Sequence, residues 1–290
     1  MVEGAEQGRP HRWSEWLAAQ EKRLGPQLAR TRDALLAHAA VTPGQTLLDI
    51  GAGRGLVALA AAERVGPNGR VIGCDLDAEC LAALIAAARS ASIEKRVSTL
   101  RADVTALPLA EESVDVVTAR SVLEFVRDRT MLANEAFRVL RPGGRIACFA
   151  SVNSYLTPHH RLVGLRGLGE LGEQIGELFD SMYANPYEPM LTFDERDLMR
   201  ILEAAGFAET GVNFILAWHR FRPSPEEALA RLTDRGVADR PSIMELLTAQ
   251  LDADAAAQYQ AYFVRTASQT MISERRASAF VWGRKLTANS

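Results

Sequence analysis

Cysteine is scarce: Cys74, Cys80 and Cys148 are the only three in 290 residues. The count is odd, so a fully paired disulfide framework is excluded. No C-x-x-C pair and no histidine cluster accompanies them, so no metal site is expected. Cys74 and Cys148 lie in apolar runs, where a thiol behaves as a small hydrophobe. Reduced thiols in a cytoplasmic protein are the expectation. No stretch approaches the eighteen or so uninterrupted apolar residues that a membrane-spanning helix needs. Residues 1–13 are polar and lack the apolar run of a secretion signal. An excess of either charge is missing too: 33 Lys and Arg stand against 36 Asp and Glu, for a net charge of -3. Such a balance gives no overall attraction to phosphate backbones, so neither nucleic acid nor membrane is an expected partner.

Hydrophobic residues make up 48% of the chain and charged residues 24%, the balance of an ordinary globular protein. Residues 1–44 form a helical arm. In it Trp13, Trp16 and Leu17 fall at helical spacing, Gly25-Pro26 is expected to break the helix, and Leu28, Leu35 and Leu36 resume it. From residue 45 short apolar runs alternate with helical patterns. Strands are expected at 46–50, 70–74, 97–102, 114–119 and 145–150, with helices over 56–65, 78–91 and 129–140 between them. The turn Arg141-Pro142-Gly143-Gly144 launches the fifth strand. Strand–helix alternation of this kind predicts a mostly parallel sheet with helices on both sides. After residue 150 the alternation stops. Residues 151–191 and 223–277 read as two helical insertions that fold over one edge as a cap. Residues 192–222 and 278–290 return to the core with a helix capped by Thr192 and Glu195 and with strands at 211–218 and 278–283, seven strands in all.

The most informative stretch is Leu47-Leu48-Asp49-Ile50-Gly51-Ala52-Gly53-Arg54-Gly55. An apolar strand enters a loop with glycine at alternate positions and a helix follows at once. Such a loop lets backbone approach a ligand closely and presents the free N–H groups of a helix start to it. The dinucleotide fingerprint G-x-G-x-x-G would place its third glycine at position 56, where this chain has Leu56. The pattern is instead D-x-G-x-G-x-G. Asp75 ends the second strand about twenty residues further on, where a carboxylate can accept from both hydroxyls of a ribose. Asp77 is an equally good helix cap, which leaves Asp75 freer for a ligand. Asp103 follows the third strand, placed to accept from an adenine amino group, with the Val104 N–H beside it for a ring nitrogen.

With LLDIGAGRG, VIGCDLD, RADV, ALPLAEESVDVVTARSVLEFV and RVLRPGGR, residues 45–150 resemble the class I S-adenosylmethionine-dependent methyltransferases, especially the quinone-biosynthesis branch. The resemblance implies a Rossmann-like, doubly wound fold and S-adenosylmethionine as cofactor. It places Asp49, Gly51 and Gly53 around the methionine moiety, with Ala52 and Gly55 also binding the cofactor, Asp75 at the ribose, Leu76 against the adenine, and Asp103 and Val104 at the adenine edge. Arg120 stands where relatives place a residue against the methionine end; an ion pair with Asp115 or Glu124 is its structural alternative.

The sulfonium is already activated, so the protein's tasks are to align a nucleophile and exclude water, with proton removal where the acceptor needs it. The core shows no obvious base. Tyr155, His159, His160, Tyr183, Tyr187 and His219 are the candidates beyond it, with His160 and Tyr187 preferred because they flank the first insertion. The cap suits a small-molecule methyl acceptor, and its helical faces suit a homodimer equally well. Two other functions share these residues. One is a chain that keeps the cofactor for a cyclase-like or purely binding role. The other is an NAD(P)-dependent oxidoreductase, against which the glycine spacing and Asp103 speak.

Overall fold

The computed structural model describes residues 12–287 other than residue 239; residues 1–11 of the expected arm and 288–290 of the expected tail lie outside the described residues. The chain divides into two compact units. One comprises residues 1–151, 193–214 and 278–290, the other residues 152–192 and 215–277.

The first unit holds the strand–helix alternation. Its elements are α1 (Arg12–His38), β1 (Thr46–Ile50), α2 (Leu56–Val65), β2 (Arg70–Asp75), α3 (Ala78–Ser90), β3 (Val97–Arg101), β4 (Val114–Arg120), α4 (Arg129–Val139), β5 (Leu140–Ser151) and α6 (Glu195–Ala204). The sheet also takes in β6 (Ala208–Phe221) and β7 (Ile272–Arg284), in the order β3-β2-β1-β4-β5-β7-β6. β1 pairs in parallel with β2 and β4, β2 with β3, and β4 with β5, whereas β7 runs antiparallel to β5. The sheet is therefore mixed but mostly parallel. Central strands buried on both faces read as continuous apolar runs, as Leu47, Leu48 and Ile50 and then Val116 and Val117 do. Ala58, Ala61, Ala62 and Val65 give α2 one flat apolar face in the same core as Leu47, Val71 and Val116.

From β1 the chain builds β2 and β3 on one side, then returns to lay β4 on the other. That reversal opens a crevice beyond the carboxyl ends of β1 and β4, the place where doubly wound sheets bind ligands. Registers of Ile50 with Cys74 and with Ala119 put the ends of β1, β2 and β4 at one level.

Several local features differ from the sequence-based expectation. The helix does not break at Gly25-Pro26: α1 runs unbroken through Pro26. Proline inside a helix forfeits one hydrogen bond. Both flanks are nevertheless anchored, by Trp13 edge-on to Trp16 and Phe125 at 5.7 and 5.3 Å and by the fully buried Leu35 and Leu36. The cap of α6 is not Thr192 but Asp194, whose carboxylate accepts from the Arg196 and Asp197 N–H groups while Asp197 reciprocates. Both pairs have the required spacing, and Thr192 donates instead to the Pro189 carbonyl. Asp194→Ala is expected to cost about 1 kcal/mol in denaturant unfolding, and Thr192→Ala only a few tenths. β5 begins at Leu140, ahead of the glycine turn: Leu140 faces Val114 and Arg145 faces Val116, so residues 141–144 bulge out between two pairs of one ladder. β6 and β7 are longer than the alternation suggests, because their ends carry charged residues that hide the apolar pattern.

The second unit is built on α5 (Glu170–Tyr183), α7 (Pro225–Thr233), α8 (Ile243–Gln250) and α9 (Ala253–Gln269). Ser224 with Glu227 and Ser242 with Glu245 form capping boxes at the starts of α7 and α8. Its core joins Ile175 and Phe179 of α5 to Leu232, Leu247, Tyr259 and Phe263 of the later helices. Residues from both inserted stretches thus share one apolar cluster. Arg240 closes on Glu188 with two hydrogen bonds of 2.5 and 2.8 Å. Among the described residues no helix is long and apolar enough to cross a membrane.

Candidate functional site

The loop after β1 is made of glycines that the backbone requires. Gly51, Gly53 and Gly55 have φ of 62°, 52° and 99°, in the left-handed region that other residues rarely adopt. Space is short as well: a Cβ on Gly51 would lie 2.2 Å from Val122 Cγ2, and one on Gly55 2.4 Å from Leu84 Cδ1.

The loop is tied to the second strand by Asp75. Its Oδ2 accepts the Gly53 N–H at 2.8 Å and its Oδ1 accepts the Asp77 N–H at 3.0 Å. Asp77, as its sequence position suggested, is the cap of α3, accepting from Glu79 at 2.8 Å and Cys80 at 3.0 Å. Asp75 is therefore a partly buried carboxylate held by two backbone donors, and burial raises its pKa. Beside it Leu76 is 62% exposed, an unusual position for a large apolar side chain, while its carbonyl accepts from Arg101 at 3.0 Å. Asp103 Oδ1 accepts from both the N–H and the hydroxyl of Thr105, which fixes the turn after β3; Val104 is buried there.

Asp49 is 2% exposed. Its Oδ1 accepts the Thr118 hydroxyl at 2.8 Å, and burial pushes its pKa up to about 7 against the pull of Thr118 and Arg120. A carboxyl that holds its proton more tightly folded than unfolded stabilises the fold most at acid pH. That contribution fades as pH rises from about 4 to about 7. Asp49→Asn, which keeps an acceptor for Thr118, is thus expected to melt at a higher temperature than the ligand-free parent at pH 8, with the gap closing by pH 5. Thermal melts at the two pH values check it.

Arg120 does not pair with Asp115, whose carboxylate serves Arg141 and the Thr46 N–H. It is attracted to Glu124, Asp49 and Glu21, and its buried Nε has no hydrogen-bond partner among the described residues. Glu124 is the residue that sequence reasoning treated only as a possible partner of Arg120. It is 2% exposed, its Oε1 accepts the Ser151 N–H at 2.6 Å, and burial lifts its pKa to about 7. A single acid in the apolar run Val122–Val126 is the signal that marks it.

The histidine and tyrosine candidates belong to the second unit. His160 Nε2 sits 3.0 Å from Asp180 Oδ1 with its ring stacked on Phe179, and burial lowers its pKa. His159 stacks on Phe263 at 4.6 Å, and burial holds its pKa down to about 3. The Tyr183 hydroxyl accepts the His159 N–H at 3.3 Å. Tyr187 is 77% exposed, and its N–H donates to the Asn185 side chain. His219 is exposed, and Tyr155 packs under the Arg275 guanidinium.

A doubly wound sheet whose carboxyl ends carry a glycine loop tied to a second-strand acid defines a nucleotide-type ligand fold. Within it, residues 48–148 match the family model described as a methyltransferase domain. Arsenite methyltransferase of Halobacterium salinarum is 38% identical over 114 residues, which are 38% of this chain and 28% of that protein. The ubiquinone/menaquinone biosynthesis C-methyltransferase of Vibrio cholerae is 28% identical over 171 residues, 58% of this chain and 66% of that one. The chain thus spans less than two thirds of these curated relatives. Among solved structures, a geranyl diphosphate methyltransferase in complex with S-adenosylmethionine superposes with a TM-score of 0.53 at 17% identity, covering 97% of this chain and 93% of that one. At that identity the likeness is one of fold.

Proposed function

We propose that the chain is an S-adenosylmethionine-dependent methyltransferase acting on a small-molecule acceptor. The observation that carries this reading is the Asp75–Gly53 tie, a carboxylate locked to the glycine loop inside the stretch that matches the methyltransferase domain. The residues present fit the cofactor. Asp75 spends one lone pair of each oxygen on backbone donors and keeps another on each for a ribose hydroxyl. Leu76 offers an exposed apolar face to the adenine, and Asp103 and Val104 stand at its edge. Asp49, Gly51, Ala52, Gly53, Gly55 and Arg120 take the methionine end, where the unpartnered Arg120 Nε awaits an acceptor.

Bound there, the cofactor supplies a methyl group already activated by the sulfonium. This chain's part is to orient the acceptor and keep water out. Both relatives are named for the methylation of small substrates. A net charge of -3 fits such an acceptor better than a polyanion. His160 and Tyr187 remain the proposed proton-transfer residues. The three buried free thiols fit a reducing compartment, the cytoplasm.

Incubation of the purified chain with S-adenosylmethionine and fractionated metabolites should yield S-adenosylhomocysteine together with a product heavier by one methylene. Tight binding of NADH with none of S-adenosylmethionine would overturn the proposal.

A further inference from the structure

The proposed reaction leaves one buried acid without a task. Glu124 follows β4, and the turn that carries it is fixed by the Arg129 guanidinium, which donates to the Leu123 carbonyl at 2.7 Å. One carboxyl oxygen is held by the Ser151 N–H at the end of β5; the other is buried and has no hydrogen-bond partner among the described residues. The neighbouring Arg120 Nε is in the same condition, and the two side chains attract each other without forming an ion pair.

The charged surroundings come from every side. Asp49 of β1 and Glu21 of α1 act on Arg120, Arg129 faces Glu124 from α4 and itself feels Asp197 of α6, and the Cys148 thiol lies within the carboxylate's field on β5. Glu124, which follows β4 at the β1–β4 crevice, is held toward its protonated form by burial against the pull of Arg120, so one further positive charge beside it favours release of the proton.

We propose that Glu124 senses charge in this crevice: a cationic ligand binds with transfer of the Glu124 proton to solvent, and a neutral ligand of the same frame binds with none. The inference rests on the cofactor reading above, for S-adenosylmethionine and S-adenosylhomocysteine differ by one methyl group and one positive charge. The O–H bond of Glu124 breaks as the cation enters. The carboxylate takes a proton back when the charge is lost. Donor is thereby favoured over product, and product release is assisted.

With a pKa of about 7, roughly half of Glu124 is protonated at pH 7. Calorimetric titration of the full chain at pH 7, in phosphate and in Tris, counts the protons from the buffer dependence of the heat. About half a proton per site should be released with S-adenosylmethionine and close to none with S-adenosylhomocysteine. Glu124→Gln should bind both compounds and release no proton with either. On the unmodified chain, affinity for S-adenosylmethionine should rise about five-fold between pH 6 and pH 7 while that for S-adenosylhomocysteine stays flat. If the glutamine variant does not fold, the same pair of measurements on Asp49→Asn decides the matter: proton release and pH response that persist there belong to Glu124, and their loss there assigns them to Asp49 and overturns the proposal. Equal release with both ligands, release that persists in the variant (which would point to Asp49), or a flat pH response to both would overturn the role of Glu124 alone. If the unmodified chain binds neither compound, the cofactor reading falls and this one with it.

Discussion

Asp75→Ala is expected to weaken binding of S-adenosylmethionine by two to three orders of magnitude. The carboxylate accepts from Gly53 and Asp77 in the protein and, in the proposed complex, from two ribose hydroxyls. A hydrogen bond to a charged acceptor contributes about 1.5–3 kcal/mol, so losing two removes roughly 3–4 kcal/mol once water replaces part of the loss. That corresponds to a factor of a few hundred in Kd. The Gly53 N–H also loses its anchor, so the loop loses preorganisation. Asp75→Asn should fall between the parent and alanine, because its amide keeps one accepting oxygen but turns a donor toward one of the two backbone N–H groups. S-Adenosylhomocysteine has the same ribose, and its affinity should drop by the same factor. Calorimetry with both ligands, beside a melting curve for each variant, checks the expectation. An alanine variant that folds and binds with parental affinity would remove Asp75 from the ribose.

Much of this site was legible because strand ends and glycines are encoded locally. The run Leu47–Ile50 followed by alternate glycines fixes a strand, a tight loop and a helix start within nine residues. Asp75 and Asp77 could be told apart by their spacing from the helix that follows. What escaped was set by distant partners. Pro26 reads as a break in any local window, and only the packing of Trp13 with Phe125 and the burial of Leu35 and Leu36 carry the helix through it. Thr192 and Asp194 offer equivalent capping patterns, and the choice between them lies in the backbone around residue 194. Glu124 looked like a partner for Arg120 because nothing in a sequence tells that the Ser151 N–H, 27 residues away, takes one of its oxygens. Ser121 is a further case. Its φ of 53° is a conformation that serine seldom adopts, and no residue type announces it. The Phe149 carbonyl holds its N–H at 2.8 Å, and the chain reversal presents Val122 to Gly51.

That contact makes Gly51→Ala the substitution with the largest expected effect on the fold. Two costs add. The left-handed φ of 62° opposes any Cβ by about 1–2 kcal/mol. The new methyl would also stand 2.2 Å from Val122 Cγ2, an overlap that forces side chain or backbone to move for a further 1–3 kcal/mol. A total of roughly 2–5 kcal/mol should appear as a lower denaturant midpoint, together with weaker S-adenosylmethionine binding, since the displaced backbone is the part of the loop that approaches the ligand. The two costs separate in a double-mutant cycle. Val122→Ala removes Cγ1 and Cγ2 and leaves a Cβ 3.3 Å from the new methyl, which a shift of a few tenths of an ångström absorbs. In the Val122→Ala background, Gly51→Ala should therefore cost only the backbone share of about 1–2 kcal/mol, so the pair couples by about 1–3 kcal/mol. Additive effects would show that strain in the glycine loop is purely conformational. A cost below about 0.5 kcal/mol for Gly51→Ala alone would show that the loop yields to a methyl group, and that its glycines are not what fixes its approach to the ligand.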